Sequence, residues 1–231
     1  MPPHAVAGVL LAAGAGSRLG RPKALVIVDG QSLVRRGIRL LQGGGTDPVI
    51  VVTGATGPDP DAGGAHAGAS ASPAGAGPTA AGPPRSSRGV ISVHNPDWQA
   101  GMGSSLAVGL RAVPADCSAA VLALADQPLV GPEAVRRLLA AYAAGASVAV
   151  ACYHGRPRNP VLISREHWPE VIALAAGDVG ARPFLRAHPG LVTEVECADT
   201  GRPDDVDSPE DLARVEGLLA GLPRADPDDR G

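Results

Sequence analysis

AVAGVLLAAGAGSRLGRPK, residues 5–23, decides how this chain is read. Its first eight residues, Ala5 to Ala12, form a nearly unbroken apolar run. A strand covered on both faces reads this way, because neither side meets water. The loop that follows, Ala13 to Lys23, is rich in Gly and Ala and carries Arg18, Arg21 and Lys23. Small residues let a backbone approach a ligand closely and turn its N–H groups toward oxyanions. A plain glycine-rich turn does not account for three clustered cations. The loop is not a Walker P-loop, since no Gly-Lys-Ser/Thr closes it. Nor is it a dinucleotide fingerprint: its glycines run G-x-G-x-x-x-G, one residue too long. Lys23 is the only lysine in the chain. A lone lysine among arginines, inside this loop, points to a site that needs a compact ammonium rather than a planar guanidinium.

Outward from this stretch, apolar runs alternate with helical patterns. Strands are expected at Pro48–Thr53, Gly89–His94, Ala119–Ala125, Ser147–Cys152 and Leu191–Cys197. Helices are expected at Ser32–Leu41, ended by Gly43-Gly44-Gly45, and at Ser104–Val113 and Glu133–Ala144. Two short helices are expected near Glu166–Ala175 and Gly180–Ala187. Ser208-Pro209-Glu210-Asp211 is a strong helix start, with Ser at the N-cap, Pro next and acids after it; this helix should run to about Leu222. Buried strands alternating with helices imply a three-layer α/β architecture, a mostly parallel sheet with helices on both faces. Ala55 to Arg88 is mostly Ala, Gly and Pro, without Val, Leu, Ile or aromatics. It cannot bury enough apolar surface to offset its ordering entropy, and reads as a flexible surface insertion. The expected organisation is one domain over 1–222, with that insertion at 55–88 and a frayed tail over 223–231.

Composition narrows the function. Hydrophobic residues are 45% of the 231 but aromatics only 2%, so the core must be Ala, Val, Leu and Ile. The net charge of −3 gives no basic surplus, which argues against broad nucleic-acid binding. No apolar run reaches the roughly 18 residues of a membrane span, and the N-terminus lacks a signal-peptide pattern. Cys117, Cys152 and Cys197 form no CxxC pair, so neither a zinc site nor a disulfide framework is indicated. A reducing cytoplasm is the expected compartment. No G-x-S-x-G elbow supports a serine hydrolase.

In mostly parallel sheets, ligands bind beyond the carboxyl ends of the strands. Asp126, in Ala125-Asp126-Gln127-Pro128, should sit at such an end, facing the glycine-rich loop. A carboxylate and a phosphate tolerate each other best with a hard cation such as Mg²⁺ between them. Asp207, just before the Ser208 cap, is a candidate second ligand. Asn95 to Leu106 runs from a strand end into a helix whose first turn holds Gly103, Ser104 and Ser105; free N–H groups and hydroxyls there would favour an anion. The expected arrangement has the Lys23 amine and an acid-bound cation facing each other from opposite sides of a crevice.

Together these segments resemble the nucleotidyltransferases that activate molybdopterin, and among them the molybdenum cofactor cytidylyltransferases. L-A-A-G-x-G-x-R-x-G-x-x-K is matched from Leu11 to Lys23, N-P-x-W-x-x-G-M-x-S-S-L from Asn95 to Leu106, and D-Q-P from Asp126 to Pro128. G-D-x-G-A-R is matched from Gly177 to Arg182, and D-x-D-[ST]-P-E-D-L from Asp205 to Leu212. The first motif is shared by many nucleotidyltransferases; all five in order are far more specific. The resemblance implies a nucleotide-diphospho-sugar-transferase-like fold. Leu11, Ala12, Ala13 and Gly14 would cradle the base and the start of the triphosphate. Gly16, Arg18 and Lys23 would hold phosphates, Asn95, Ser104 and Ser105 would complete the nucleotide site, and Asp126 and Asp207 would hold Mg²⁺. Catalysis would rest on Arg18, Lys23 and Asp126. Ala13 and the Asp-Gln-Pro triplet match the cytidine-type variant, so CTP is the implied nucleotide and molybdopterin the acceptor. A molybdoenzyme or its insertion chaperone would be the protein partner. Arg158 departs from the family, which usually has Gly before the Asn-Pro pair. Two other activities fit the resemblance: nucleotidyl transfer to another phosphorylated acceptor, and NAD(P)H-dependent reduction of quinone-like dyes, as in reductases of the nicotine blue oxidoreductase type. A non-catalytic nucleotide sensor would keep the loop without turnover.

Overall fold

The computed structural model describes residues 5–56 and 89–220. The proposed insertion falls almost wholly outside the described residues, as does the tail from 223. Each apolar run becomes a strand: β1 (Ala5–Ala12), β4 (Val49–Thr53), β5 (Val90–His94), β6 (Cys117–Leu124), β7 (Val148–Tyr153) and β9 (Val192–Glu196). Two-residue strands β2 (Ile27–Val28) and β3 (Gln31–Ser32) form a small antiparallel hairpin. The helices are α1 (Leu33–Gly44), α2 (Met102–Ala112), α3 (Pro132–Ala143), α4 (Trp168–Leu174), α5 (Arg182–Ala187) and α6 (Pro209–Ala220). Ser32 caps α1 by accepting from the Arg35 N–H. The helix absorbs Gly43 and Gly44 and stops at Gly45, whose φ is 103°.

One strand escaped the sequence reading: β8 (Arg156–Ser164). It completes a seven-stranded sheet ordered β5-β4-β1-β6-β8-β7-β9, in which β8 alone runs antiparallel to its neighbours. Its first half, with Arg156, Pro157, Arg158 and Asn159, does not look like a central strand, since proline is normally confined to edges and bulges. The structure meets that limit. Only Val161–Ser164 pairs with β6, and the β7 ladder slips at Asn159-Pro160, so the proline-bearing half is paired on one side only.

The sheet carries a core on each face. Leu10 and Ala12 of β1 point to α1 and α3, and Ala7 and Val9 point to α2, α4 and α5, which is why the run shows no polar alternation. A third cluster of Val26, Val28, Leu33, Val206 and Val215 seats α6 on the small hairpin. From β1 the sheet grows one way to β4 and β5 and the other way to β6. Between β1 and β6 lies the switch point where such sheets open a crevice. Among the described residues, no helix is long and apolar enough to cross a membrane.

Helices α1 and α3 approach closely because Gly44 has no side chain: a Cβ there would lie 2.3 Å from Val135 Cβ. Gly217 in α6 faces open space. Gly44→Ala should therefore lower unfolding free energy by about 1–3 kcal/mol through overpacking. Gly217→Ala should raise it by roughly 0.5–1 kcal/mol by improving helix propensity. Urea unfolding of both variants checks the pair; the same sign for both would contradict the packing.

Candidate active site

The loop after β1 folds back on itself. Lys23 N–H donates to Gly14 O at 3.2 Å and Leu19 N–H to Gly16 O at 2.8 Å. Gly16 is required here: its φ is 61°, and a Cβ would stand 2.1 Å from Arg21 O. The fold-back returns Lys23 to the carboxyl end of β1. Next door, Ala125 N–H donates to Leu11 O at 3.1 Å and carries the β1–β6 pairing up to Asp126. The segment from Asp205 to Asp207 arrives from far along the chain and is pinned by its middle residue. Val206 is fully buried, and its N–H donates to Asp126 O at 2.9 Å. Beyond it, Ser208 and Asp211 form a reciprocal cap at the start of α6: Ser208 N–H donates to Asp211 Oδ2 at 3.1 Å and Asp211 N–H to Ser208 Oγ at 3.2 Å.

These three segments meet at one ammonium. Lys23 Nζ donates to Asp126 Oδ2 at 2.6 Å and to Asp207 Oδ1. The expectation of a cation and an acid on opposite sides of a crevice gives way to direct contact, because the loop doubles back over the end of β1. Burial alone would push the Lys23 pKa down, but the charge and hydrogen bond of Asp126, followed by those of Asp207, outweigh it and hold the ammonium above its ordinary 10.5. Asp205 joins the group through Gln127, whose Nε2 donates to its Oδ1 at 2.9 Å. Loss of water around the Asp205 carboxyl, together with the charges of Asp126 and Asp207, raises its pKa above the ordinary value, against the Gln127 hydrogen bond. Two carboxylates share one ammonium, with Asp205 nearby on Gln127, so the acids outnumber the amine. Asp126 Oδ1 is buried without a hydrogen-bond partner. An orphaned carboxylate oxygen in an acid-rich pocket fits a hard divalent cation. Mg²⁺ takes one or two protein carboxylates and completes its shell with water and substrate phosphates. Among the described residues, no group of three or more His, Cys, Asp or Glu side chains is placed to hold a metal ion.

The cluster opens into a cleft of about 1470 Å³. Of the residues expected to form the site, Leu11, Ala12, Ala13, Gly14, Lys23, Ser105, Asp126 and Asp207 line this cleft. The remaining expected residues do other things. Gly16 is buried in the loop's turn, and Arg18 is exposed and outside the cleft lining. Asn95 is 1% exposed and donates to both Ser104 Oγ (2.9 Å) and Ser105 Oγ (3.0 Å). The α2 N-terminus already has acceptors: Met102 N–H donates to Asp178 Oδ1 at 3.2 Å and Gly103 N–H to Gly177 O at 2.8 Å. This loop therefore holds the cleft wall together. The lining also contains residues to which the sequence assigned no role: Arg158, Arg182, Arg186, Asp178 and Glu194. Asp178 and Arg182 stand inside the G-D-x-G-A-R segment, the one signal that could have marked them.

The profile of the MobA-like NTP transferase domain matches residues 8–192. The chain is 35% identical over 218 residues to Nicotine blue oxidoreductase of Paenarthrobacter nicotinovorans, covering 91% of this chain and 96% of that protein. It is 30% identical over 215 residues to Purine catabolism protein PucB of Bacillus subtilis, covering 92% and 97%. Among solved structures, Rv0371c of Mycobacterium tuberculosis H37Rv in complex with manganese superposes with a TM-score of 0.64 at 26% identity, covering 92% of this chain and 98% of that one.

Lys23→Met should leave the acids facing one another without their internal cation. At neutral pH in a chelator its thermal midpoint should fall below wild type, and Mn²⁺ should raise the variant's midpoint more than the wild type's. A raised lysine pKa means that the wild-type advantage is complete below 10.5 and fades as pH climbs through the raised value. Equal midpoints at neutral pH would contradict the charge cluster as drawn.

Proposed function

The chain belongs to the MobA-like NTP transferase domain family, and from that premise we propose that it transfers CMP from CTP to the terminal phosphate of molybdopterin, releasing pyrophosphate. The observation that carries this reading is the single ammonium clasped by Asp126 and Asp207 at the β1–β6 switch point, with Asp126 Oδ1 left unpartnered. Members of this family act on nucleoside triphosphates with a divalent metal, and one structural relative is known with manganese. Asp126 and Asp207 would hold Mg²⁺ here; bound there, it would neutralise charge on the phosphates.

The work left to the chain's own groups is positioning and charge neutralisation, since phosphoryl transfer needs little covalent help. An oxygen of the acceptor phosphate attacks the α-phosphorus. A new P–O bond forms as the bond to the bridging oxygen breaks, and the bond's electron pair leaves with pyrophosphate. A lysine ammonium has three N–H donors. Two of them meet Asp126 and Asp207, and the third is left for a phosphate oxygen. The loop from Ala13 to Lys23 lets the triphosphate approach the backbone, and exposed Arg18 adds charge at its outer turn. Ala13 and Trp98 line the cleft on either side of Gly54, where a Cβ would lie 2.6 Å from Trp98 and 2.8 Å from Ala13. Ala13 and the Asp126-Gln127-Pro128 triplet, which match the cytidine-type variant, support CTP as the nucleotide.

A second reading has one specific observation in its favour, the 35% identity to a protein named as an oxidoreductase. Reduction of a quinone-like dye by NAD(P)H would need neither a divalent cation nor the Lys23–Asp126 contact.

Incubation with α-labelled CTP or GTP, Mg²⁺ and molybdopterin should give labelled dinucleotide and stoichiometric pyrophosphate, with CTP preferred. Lys23→Ala and Asp126→Ala should each cut turnover by ~10²-fold or more, by analogy with loss of a transition-state donor. Chelator-insensitive NAD(P)H oxidation without pyrophosphate release would instead establish the reductase reading.

A further inference from the structure

Aromatic residues make up 2% of the chain, and Trp98 is the one aromatic side chain among the described residues that line the cleft. It is half-buried, and backbone fixes it from two sides. On one side lies the end of β4. Gly54 is buried there, and a Cβ on it would stand 2.6 Å from Trp98 Cβ and 2.7 Å from Trp98 Cγ, so the root of the indole rests directly on backbone. On the other side, the short turn Trp98–Ala100 closes on itself as Gly101 N–H donates to Trp98 O at 3.1 Å. Gly101 has a φ of 104°, and a Cβ on it would lie 2.4 Å from the Gly177 carbonyl carbon. Asn95 ties the entry to this turn, its Oδ1 accepting from Asp97 N–H at 3.0 Å. The fold itself therefore sets where the ring sits.

Its place relative to the ammonium follows from the first loop. A Cβ on Gly14 would lie 3.6 Å from Lys23 Cδ, so Gly14 marks the ammonium's side. Ala13 stands one residue earlier, about 3.8 Å along the chain. Its Cβ is 2.8 Å from the same Gly54 position that Trp98 touches. Ala55 N–H donates to Ala13 O at 3.3 Å and Asn95 N–H to Thr53 O at 2.8 Å, which joins the ends of β1, β4 and β5 into one floor. Lys23, Gly14, Ala13 and Trp98 thus follow one another along the cleft. A triphosphate held at the ammonium lays its nucleoside along Ala13 and brings the base to the indole. Bases stack on aromatic side chains, and the contact tolerates any of them because every base has a π-face. A ring already fixed in place loses little freedom when it is covered.

We propose that Trp98 is the stacking platform for the nucleobase. It supplies affinity for the nucleoside and none of the choice between bases, and Gly54 is the positioning residue beneath it. The inference rests on the reading of the cleft as a nucleotidyl-transfer site. It divides the work of recognition: the face of the base is held by Trp98, and the preference for CTP comes from polar groups that meet its edge.

The test is a set of titrations of the full chain with Mg²⁺ present. Wild type, Trp98→Leu and Trp98→Phe are titrated calorimetrically with CTP, UTP and inorganic tripolyphosphate, and tryptophan emission is followed with CTP. Leucine keeps a Cβ and Cγ to rest on Gly54 but has no π-face. Trp98→Leu should weaken CTP and UTP by a common factor, roughly tenfold, and leave tripolyphosphate, which has no base, unchanged. Trp98→Phe, with a smaller ring, should recover most of the lost affinity. CTP should quench the emission of wild type. It should leave that of Trp98→Phe unchanged, because the remaining Trp168 is buried and donates to Ile163 O at 3.0 Å. Tripolyphosphate weakened in parallel with CTP marks a structural role and overturns the platform; so does a loss confined to one of the two bases. CTP binding that ignores Trp98→Leu sinks the platform alone. The expected losses, with no pyrophosphate released once molybdopterin is added, sink the nucleotidyl-transfer reading alone. Wild type that binds neither nucleotide sinks both.

Discussion

One lysine amine holds two carboxylates that lie 103 and 184 residues away in the chain. That contact joins the loop after β1, the end of β6 and the approach to α6, and the cleft takes its shape from where they meet. It is made possible by features with no charge at all. A glycine at 16 lets the loop turn back, the β1–β6 ladder sets Asp126 beside it, and a buried valine at 206 presses the acidic segment down. A partly wet ion pair of this kind adds little stability by itself. Two acids on one amine, with Asp205 close by, leave negative charge uncompensated, a poor device for holding a fold together.

The cleft is polar along its length. Asp126, Asp205 and Asp207 line it with Lys23, and Arg158, Arg182, Arg186 and Arg214 line it with Asp178, Glu194, Asp204 and Asp211. The loop from Asn95 to Ser105 contributes by rigidity. Its amide and hydroxyl groups are tied to one another, and the helix behind it is capped by Asp178 and Gly177, so this wall is firm.

Much of this was legible locally. The strand β1 runs from Ala5 to Ala12 as its composition demands, because a strand buried on both faces cannot hide a polar residue. The caps at Ser32 and Ser208 are short-range chemistry, and both formed. The strand β8 was not legible. Two prolines and two arginines mask its first half, and only a one-sided pairing and a slipped ladder make a strand of them. Asn95, Ser104 and Ser105 were correctly grouped by proximity, but whether their polar atoms face a ligand or one another depends on the packing around them.

The amino-acid sequence by itself determined the alternation of strands and helices, the cationic glycine-rich loop and the acids at the strand ends, because each follows from hydrophobic period, turn chemistry or side-chain type within a few residues. Only the tertiary structure decided that Lys23 touches Asp126 and Asp207 rather than facing them across a gap. Only there does Trp98 come to rest on Gly54 beside Ala13. Both outcomes depend on how far loops fold back over the strand ends. That is set by packing between segments distant in the chain, and no local pattern encodes it.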